Sequence, residues 1–236
     1  NLIGLFYGTV TPLWLGDYVR IPYLREESDA PFGKCTSNII IDQIMEFGGL
    51  FILALAGSIV LFKHFSSLFF IFFSFFISFI SVAIFLKKKE RSEKLLKIIY
   101  KIFIPEKLKA SMMNEFNAFY EDMPSVKSLI LPLLIGIFSY ILFFVQIYIL
   151  ALSFSINIPL INFILIYPVA SLIGLIPITV SGLGTREYAL IHIFSIYGIP
   201  SDVTVAISLS GYVITMLIPS IIGGVLSLTK VRVEKV

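Results

Sequence analysis

From residue 128 to residue 185 the chain carries no Asp, Glu, Lys or Arg, and further uncharged windows cover 47–62, 65–86, 188–201 and 203–229. A helix needs about 20 apolar residues to cross the roughly 30 Å hydrocarbon layer of a bilayer. The stretches 65–86, 128–152 and 203–228 satisfy that requirement. The stretch 39–62 does so if Asp42 and Glu46, near its start, are tolerated. Composition supports the same reading. Of the 236 residues 58% are hydrophobic and 14% charged, with a mean hydropathy of +0.97. A soluble domain has about 45–50% apolar and about 25% charged residues, so this chain could not cover a water-facing surface. A cytosolic enzyme, a disordered chain and a nucleic-acid module are excluded. The fold class is an all-α integral membrane protein, a polytopic helical bundle in the cell membrane, read as one transmembrane domain over 1–236.

The chain opens Asn1-Leu2-Ile3 without a Met and lacks the pattern of a signal peptide. It reads as a fragment whose first spanning helices are missing, with 1–10 as the tail of an apolar helix. Cys35 is the only cysteine, so neither an internal disulfide nor a zinc spacing is available.

Sixteen of the 33 charged residues lie between Lys87 and Lys127, ten of them basic. Loops rich in Lys and Arg stay in the cytoplasm. The same side is expected for Arg20, Arg25 and Lys34 and for the tail with Lys230, Arg232 and Lys235. The loop 87–127 reads as short amphipathic helices. In 93–103, Leu95, Leu96, Ile98, Ile99 and Ile102 alternate with Lys94, Lys97 and Lys101, a pattern suited to an anionic lipid surface.

The topology closes only if 160–197 begins and ends on the outer side. The stretch 160–178 contains Pro168 and Pro177 and runs into Ser181-Gly182-Leu183-Gly184. As a helix, 186–197 would reach only about 18 Å. Two partial helices meeting at a glycine-rich apex form a re-entrant hairpin. Non-helical backbone at membrane depth is stable only where protein or a wet cavity covers it.

Two polar segments stand out. Thr11-Pro12-Leu13-Trp14-Leu15-Gly16-Asp17-Tyr18-Val19-Arg20 and Pro177-Ile178-Thr179-Val180-Ser181-Gly182-Leu183-Gly184-Thr185-Arg186-Glu187 both place Pro, then Leu-Gly, then an acid and an arginine within four residues. Each precedes the early turns of a spanning helix, Asp42 after Gly16 and Gly211 after Gly184. They read as two copies of one unit in an inverted repeat, a common transporter plan.

The chemistry of the second segment suits a head group. Gly182 and Gly184 let the backbone turn sharply, and Thr185 is placed to cap a helix starting at Arg186. Helix N-termini favour anions, and the Arg186 fork matches phosphate or carboxylate. The alternative is structural, with Arg186 paired to Glu187 or Asp17. Asp42 and Glu46, four residues apart, share one helix face. They are expected to point inward toward Arg20 or Arg186 as charge partners, with proton or cation handling, or simply a place in the wet interface, as the alternatives. His192 reads as packed or interfacial and His64 as solvated. Trp14, Tyr18 and Tyr23 read as interface anchors. No nucleotide cradle, Gly-x-Ser-x-Gly elbow or His/Cys cluster appears, so no catalytic residue is assigned. Asp17, Asp42, Glu46 and Glu187 are the groups able to act as acids or bases. No cofactor or metal is expected.

At these motifs the sequence resembles a known family. Ser181-Gly182-Leu183-Gly184-Thr185-Arg186-Glu187 is similar to the Gly-Leu-Gly-x-Arg-Glu signature of the flippase-like family that includes the transmembrane region of lysylphosphatidylglycerol synthases. Gly16-Asp17-Tyr18-Val19-Arg20 looks like its Gly-Glu-x-x-Arg motif with Asp for Glu. Ile41-Asp42-Gln43-Ile44-Met45-Glu46 looks like its Glu-Arg-x-x-Asp element, with the acids exchanged and Gln43 where the arginine stands. In the lysyl-lipid enzymes this region is implied to move the aminoacylated lipid, while a separate soluble domain performs the aminoacyl transfer. None of the residues here resembles that domain. The resemblance therefore implies flipping of an anionic or polyprenyl-linked lipid, with head-group binding at Arg186, Glu187, Gly182, Gly184, Thr185, Gly16, Asp17 and Arg20. A membrane-embedded lipid head-group transferase and an accessory membrane subunit are the alternatives. Expected partners are a phosphate-containing membrane lipid, not nucleic acid, and a second copy or a separate synthase or glycosyltransferase.

Overall fold

In a computed structural model, the structure describes residues 2–93, 106–121 and 123–233. The described residues are helical, with ten α-helices: α1 (Leu2–Val10), α2 (Arg20–Ser28), α3 (Phe32–Val60), α4 (Ser66–Lys87), α5 (Glu106–Glu121), α6 (Ile130–Leu152), α7 (Leu160–Gly174), α8 (Thr185–Ser195), α9 (Ser201–Tyr212) and α10 (Ile218–Val233). Four helical stretches are long and apolar enough to cross a membrane: Phe32–Val60, Ser66–Phe85, Lys127–Leu152 and Ser201–Leu228. The chain is an all-α polytopic membrane protein. The first span begins seven residues earlier than its hydropathy alone indicates. Pro31 stands at its N-cap, where a missing N–H costs nothing. The amphipathic pattern at 93–103 falls almost wholly outside the described residues.

The helix α3 is the hub, packed against α2, α4, α5, α6 and α7. Its glycines set how close these neighbours come. A Cβ on Gly57 would lie 1.8 Å from the Leu165 carbonyl oxygen of α7, and one on Gly49 3.1 Å from the Ile137 nitrogen of α6. Small residues at crossings let helix backbones touch, the usual means of association where lipid is as apolar as the side chains.

The helix α7 is apolar on every face and is buried on nearly every face: Phe163, Ile164, Ile166, Tyr167, Pro168, Val169, Ala170 and Leu172 are all inside. An all-round apolar helix must be surrounded, and here protein surrounds it. Its 15 residues span about 22 Å, less than the hydrocarbon layer. Aromatic contacts tie Phe163 to Tyr148 and Phe194, and Tyr167 to Phe144, joining α6, α7 and α8. The helix α4 is the opposite case. It packs against α3 and leaves Phe70, Phe73, Phe75 and Ile84 exposed, as befits a lipid-facing surface.

At the other side of the molecule, α1 packs between the 3-10 stretch Pro12–Val19 and α10. Gly223 meets the Leu2 carbonyl, and Gly224 faces the Phe6 ring.

Candidate functional site

Both polar segments lie where the α-helix breaks. In the first, Thr11 closes the turn: its hydroxyl donates to the Tyr7 carbonyl oxygen at 2.8 Å and accepts the Gly16 N–H at 2.6 Å. A Cβ on Gly16 would sit 2.1 Å from the Tyr7 oxygen, so only glycine fits. The turn delivers Asp17 and Arg20 to the start of α2. Arg20 Nη2 lies 2.7 Å from Asp17 Oδ2 and 3.2 Å from Asp42 Oδ2, tying the start of α2 to α3. Gln43 Nε2 donates to Asp17 Oδ2 at 2.6 Å. Gln43 thus joins the cluster through a hydrogen bond and brings no charge to it. Gly4 leaves the room these groups occupy, since a Cβ there would lie 2.2 Å from Asp17 Oδ1.

In the second, Ser181, Gly182 and Gly184 all have left-handed φ, at 53°, 72° and 93°. That geometry strongly favours glycine and folds the chain back from α7 into α8. The structure corrects the expected cap. The helix begins at Thr185, and Gly184 is the N-cap. Glu187 reaches back to accept the Gly184 N–H at 2.5 Å. The Thr185 hydroxyl donates instead to the Gly182 carbonyl at 3.1 Å. The protein's own carboxylate therefore takes the place at this helix N-terminus where an outside anion would bind.

Arg186 pairs with its chain neighbour Glu187, donating from Nε and Nη2 to Oε1 at 3.2 and 2.9 Å. Ser208 on α9 ties the pair together, accepting from Arg186 Nε at 3.1 Å and donating to Glu187 Oε1 at 2.5 Å. The Tyr212 ring lies 5.5 Å from the guanidinium carbon in cation–π geometry. The Arg186 and Glu187 side chains are only 14% and 8% exposed. The fully buried Tyr167 borders them.

The two clusters share a spacing. Arg20 meets Asp42, and Arg186 meets Ser208, each 22 residues further along the chain. One turn beyond Asp42 stands Glu46, and one turn beyond Ser208 stands Tyr212. The charge balance differs. Three carboxylates surround Arg20, whereas Arg186 has one. Asp42 pairs with Arg20 while its side chain stays 63% exposed, and Glu46, also exposed at the surface, lies near the same guanidinium. The breaks themselves meet: the Ser181 hydroxyl donates to the Thr9 carbonyl oxygen at 2.5 Å, and Pro12–Val19 packs on Val180–Gly182.

His192 is exposed, hydrogen-bonded to the Tyr188 carbonyl at 2.8 Å, and His64 is exposed. Tyr18, partly buried, packs beside Ile21, Cys35 and Ile39. Among the described residues no group of three or more His, Cys, Asp and Glu is arranged to hold a metal ion. Sequence reasoning missed Ser208, Tyr212, Tyr167 and Thr9. The one available signal for Ser208 was its distance from Arg186, equal to that of Asp42 from Arg20.

The family model for the lysylphosphatidylglycerol synthase transmembrane region matches residues 1–223. The chain belongs to this family. A UPF0104 membrane protein of Methanocaldococcus jannaschii is 25% identical over 237 residues, covering 94% of this chain and 70% of that protein. A second UPF0104 membrane protein, from Methanothermobacter thermautotrophicus, is 33% identical over 78 residues, 33% of this chain and 22% of that relative. No solved structure matches. The matched range includes Gly182-Leu183-Gly184-Thr185-Arg186-Glu187, the turn and cap just described.

Proposed function

We propose that this chain moves a phosphate-bearing lipid across the bilayer, with the two arginine clusters as head-group sites at the apexes of two re-entrant hairpins related by an inverted repeat. The observation that carries the reading is the pair of Arg–carboxylate clusters. Each sits at a break in the helix, each is anchored 22 residues ahead on the next long helix, and the two breaks are in contact. A charge at membrane depth costs at least about 2.5 kcal/mol even on the gentlest insertion scale, so its retention calls for a role. Family membership supports a lipid-related role.

Glu187 is the internal counter-ion. It satisfies Arg186 and the Gly184 N–H when no lipid is bound. An arriving phosphate competes for the same donors and must offer two oxygens to match the guanidinium fork. Such an exchange keeps a buried charge compensated at every stage. Tails remain in lipid alongside the exposed apolar faces.

The test is translocation of a fluorescent phosphatidylglycerol in proteoliposomes, normalised to folded protein. Arg186→Lys keeps the charge but loses the fork, and should insert normally and transport poorly. Arg186→Gln should do worse, because it also leaves Glu187 buried without its cation. Full activity in Arg186→Lys rules out two-pronged recognition. Normal activity in Arg186→Gln removes the head-group site from this apex. A lipid product altered in mass would favour a transferase instead.

A further inference from the structure

The helical run Ser201–Leu228 is 28 residues long, yet its two halves have different partners. The first half, α9, packs on α8 and α6. Ser208 holds the Arg186–Glu187 pair, the Tyr212 ring stacks on Arg186, and Gly211 faces Ile147. The second half, α10, belongs to α1. The Ser220 hydroxyl pairs with that of Thr9 at 2.9 Å, the Ser227 hydroxyl with that of Tyr7 at 3.1 Å, and Gly223 lies against the Leu2 carbonyl.

Between them, Val213–Leu217 is a π-helical turn, in which the Ile218 N–H bonds the Val213 carbonyl five residues back. The sequence explains it. Pro219 has no N–H to offer the carbonyls one turn earlier. The Thr215 hydroxyl donates to the Gly211 carbonyl at 2.8 Å, a side-chain bond that bends helices. Around this turn Val213, Ile214, Leu217 and Ile218 are exposed, so little protein packing holds it. Kinks in long helices have such causes, and single π turns are frequent at functional sites.

We infer that Ser201–Leu228 is a jointed lever, hinged at Val213–Leu217, about which the α1–α10 pair rocks against the α6–α8–α9 group. The joint starts at the residue after Tyr212, whose ring covers Arg186, so the moving half begins directly beside that cluster. The hydrogen bond from Ser181 to the Thr9 carbonyl runs from one group to the other, and it parts, with the packing of α1 and Pro12–Val19 on Val180–Gly182, when they separate. Rigid groups turning about a short helical break are a common form of conformational change. The joint stands on packing and backbone geometry alone, whatever is transported.

Two doubly labelled proteins test it by electron-spin distance measurement in lipid nanodiscs, with the buried Cys35 replaced by Ala. One carries nitroxides at His192→Cys and Val225→Cys, across the joint. The other carries them at His192→Cys and Asp202→Cys, within one group. All three positions are exposed. The expected result is a broad or two-peaked distribution across the joint and a narrow one within the group. Pro219→Ala restores the missing N–H and should narrow the first distribution to a single population while leaving the second unchanged. Thr215→Ala, a second variant should the first not fold, is expected to act in the same sense. A wild-type distribution across the joint as narrow as the one within the group overturns the joint. So does a broad one that persists in the folded variants, since the motion then lies elsewhere.

Discussion

Ser208→Ala is the sharpest test of the second cluster as a structural unit. Ser208 is 1% exposed, and its hydroxyl makes two bonds, one from Arg186 Nε at 3.1 Å and one to Glu187 Oε1 at 2.5 Å. Hydrogen bonds between membrane helices average only about 0.6 kcal/mol, but bonds to charged groups contribute about 1.5–3 kcal/mol. Both partners here are charged and shielded from water, so the larger figure applies. After the substitution Glu187 keeps the Gly184 N–H and Arg186, and Arg186 keeps Glu187 and the Tyr212 ring. No charge is orphaned, and the loss should stop near about 1.5–3 kcal/mol. Glu187→Ala strands the guanidinium and should cost about 3–5 kcal/mol. Ser210→Ala, two residues along on the same helix and only partly buried, should stay within about 0.5 kcal/mol. Reversible unfolding in bicelles gives all three values. If Ser208→Ala matches Ser210→Ala, the hydroxyl is not a tie between α9 and the Arg186–Glu187 pair, and the energetic argument for the cluster fails.

Two glycines separate backbone strain from crowding. Gly182 and Gly198 have nearly the same φ, 72° and 71°, but a Cβ at Gly182 would meet the Gly174 oxygen at 2.5 Å whereas one at Gly198 meets nothing within 4 Å. Gly198→Ala should cost only the left-handed penalty of about 1–2 kcal/mol, and Gly182→Ala a further 1–3 kcal/mol or about that from overpacking; equal losses in thermal unfolding would refute the close apex. The orientation read from the basic loop is checked at Asn117, exposed on α5. Asn117→Cys should react with an impermeant maleimide in inside-out vesicles and not in intact cells, and the reverse pattern would invert the topology.

The four long apolar helices were legible in the sequence because lipid imposes a length and a charge limit that any spanning segment must meet. The breaks at Gly16 and Gly182–Gly184 were legible for a related reason: proline, glycine and polar residues cannot continue an apolar helix without cause. The partners of the polar groups were not legible. Nothing local says that Arg186 turns to its own neighbour Glu187, that Glu187 caps α8 at Gly184, or that a serine on α9 ties them. Those contacts depend on where α9 passes α8. Nor does any local pattern reveal that α7 is surrounded on nearly every side, or that Ser201–Leu228 changes partners at its π turn. Composition determined that this protein lies in a membrane and where its chain is interrupted. The tertiary structure decided which charge meets which, because pairing at a buried site is set by the crossing of helices far apart in sequence, and those crossings are set in turn by small residues such as Gly57 and Gly223 that let backbones touch.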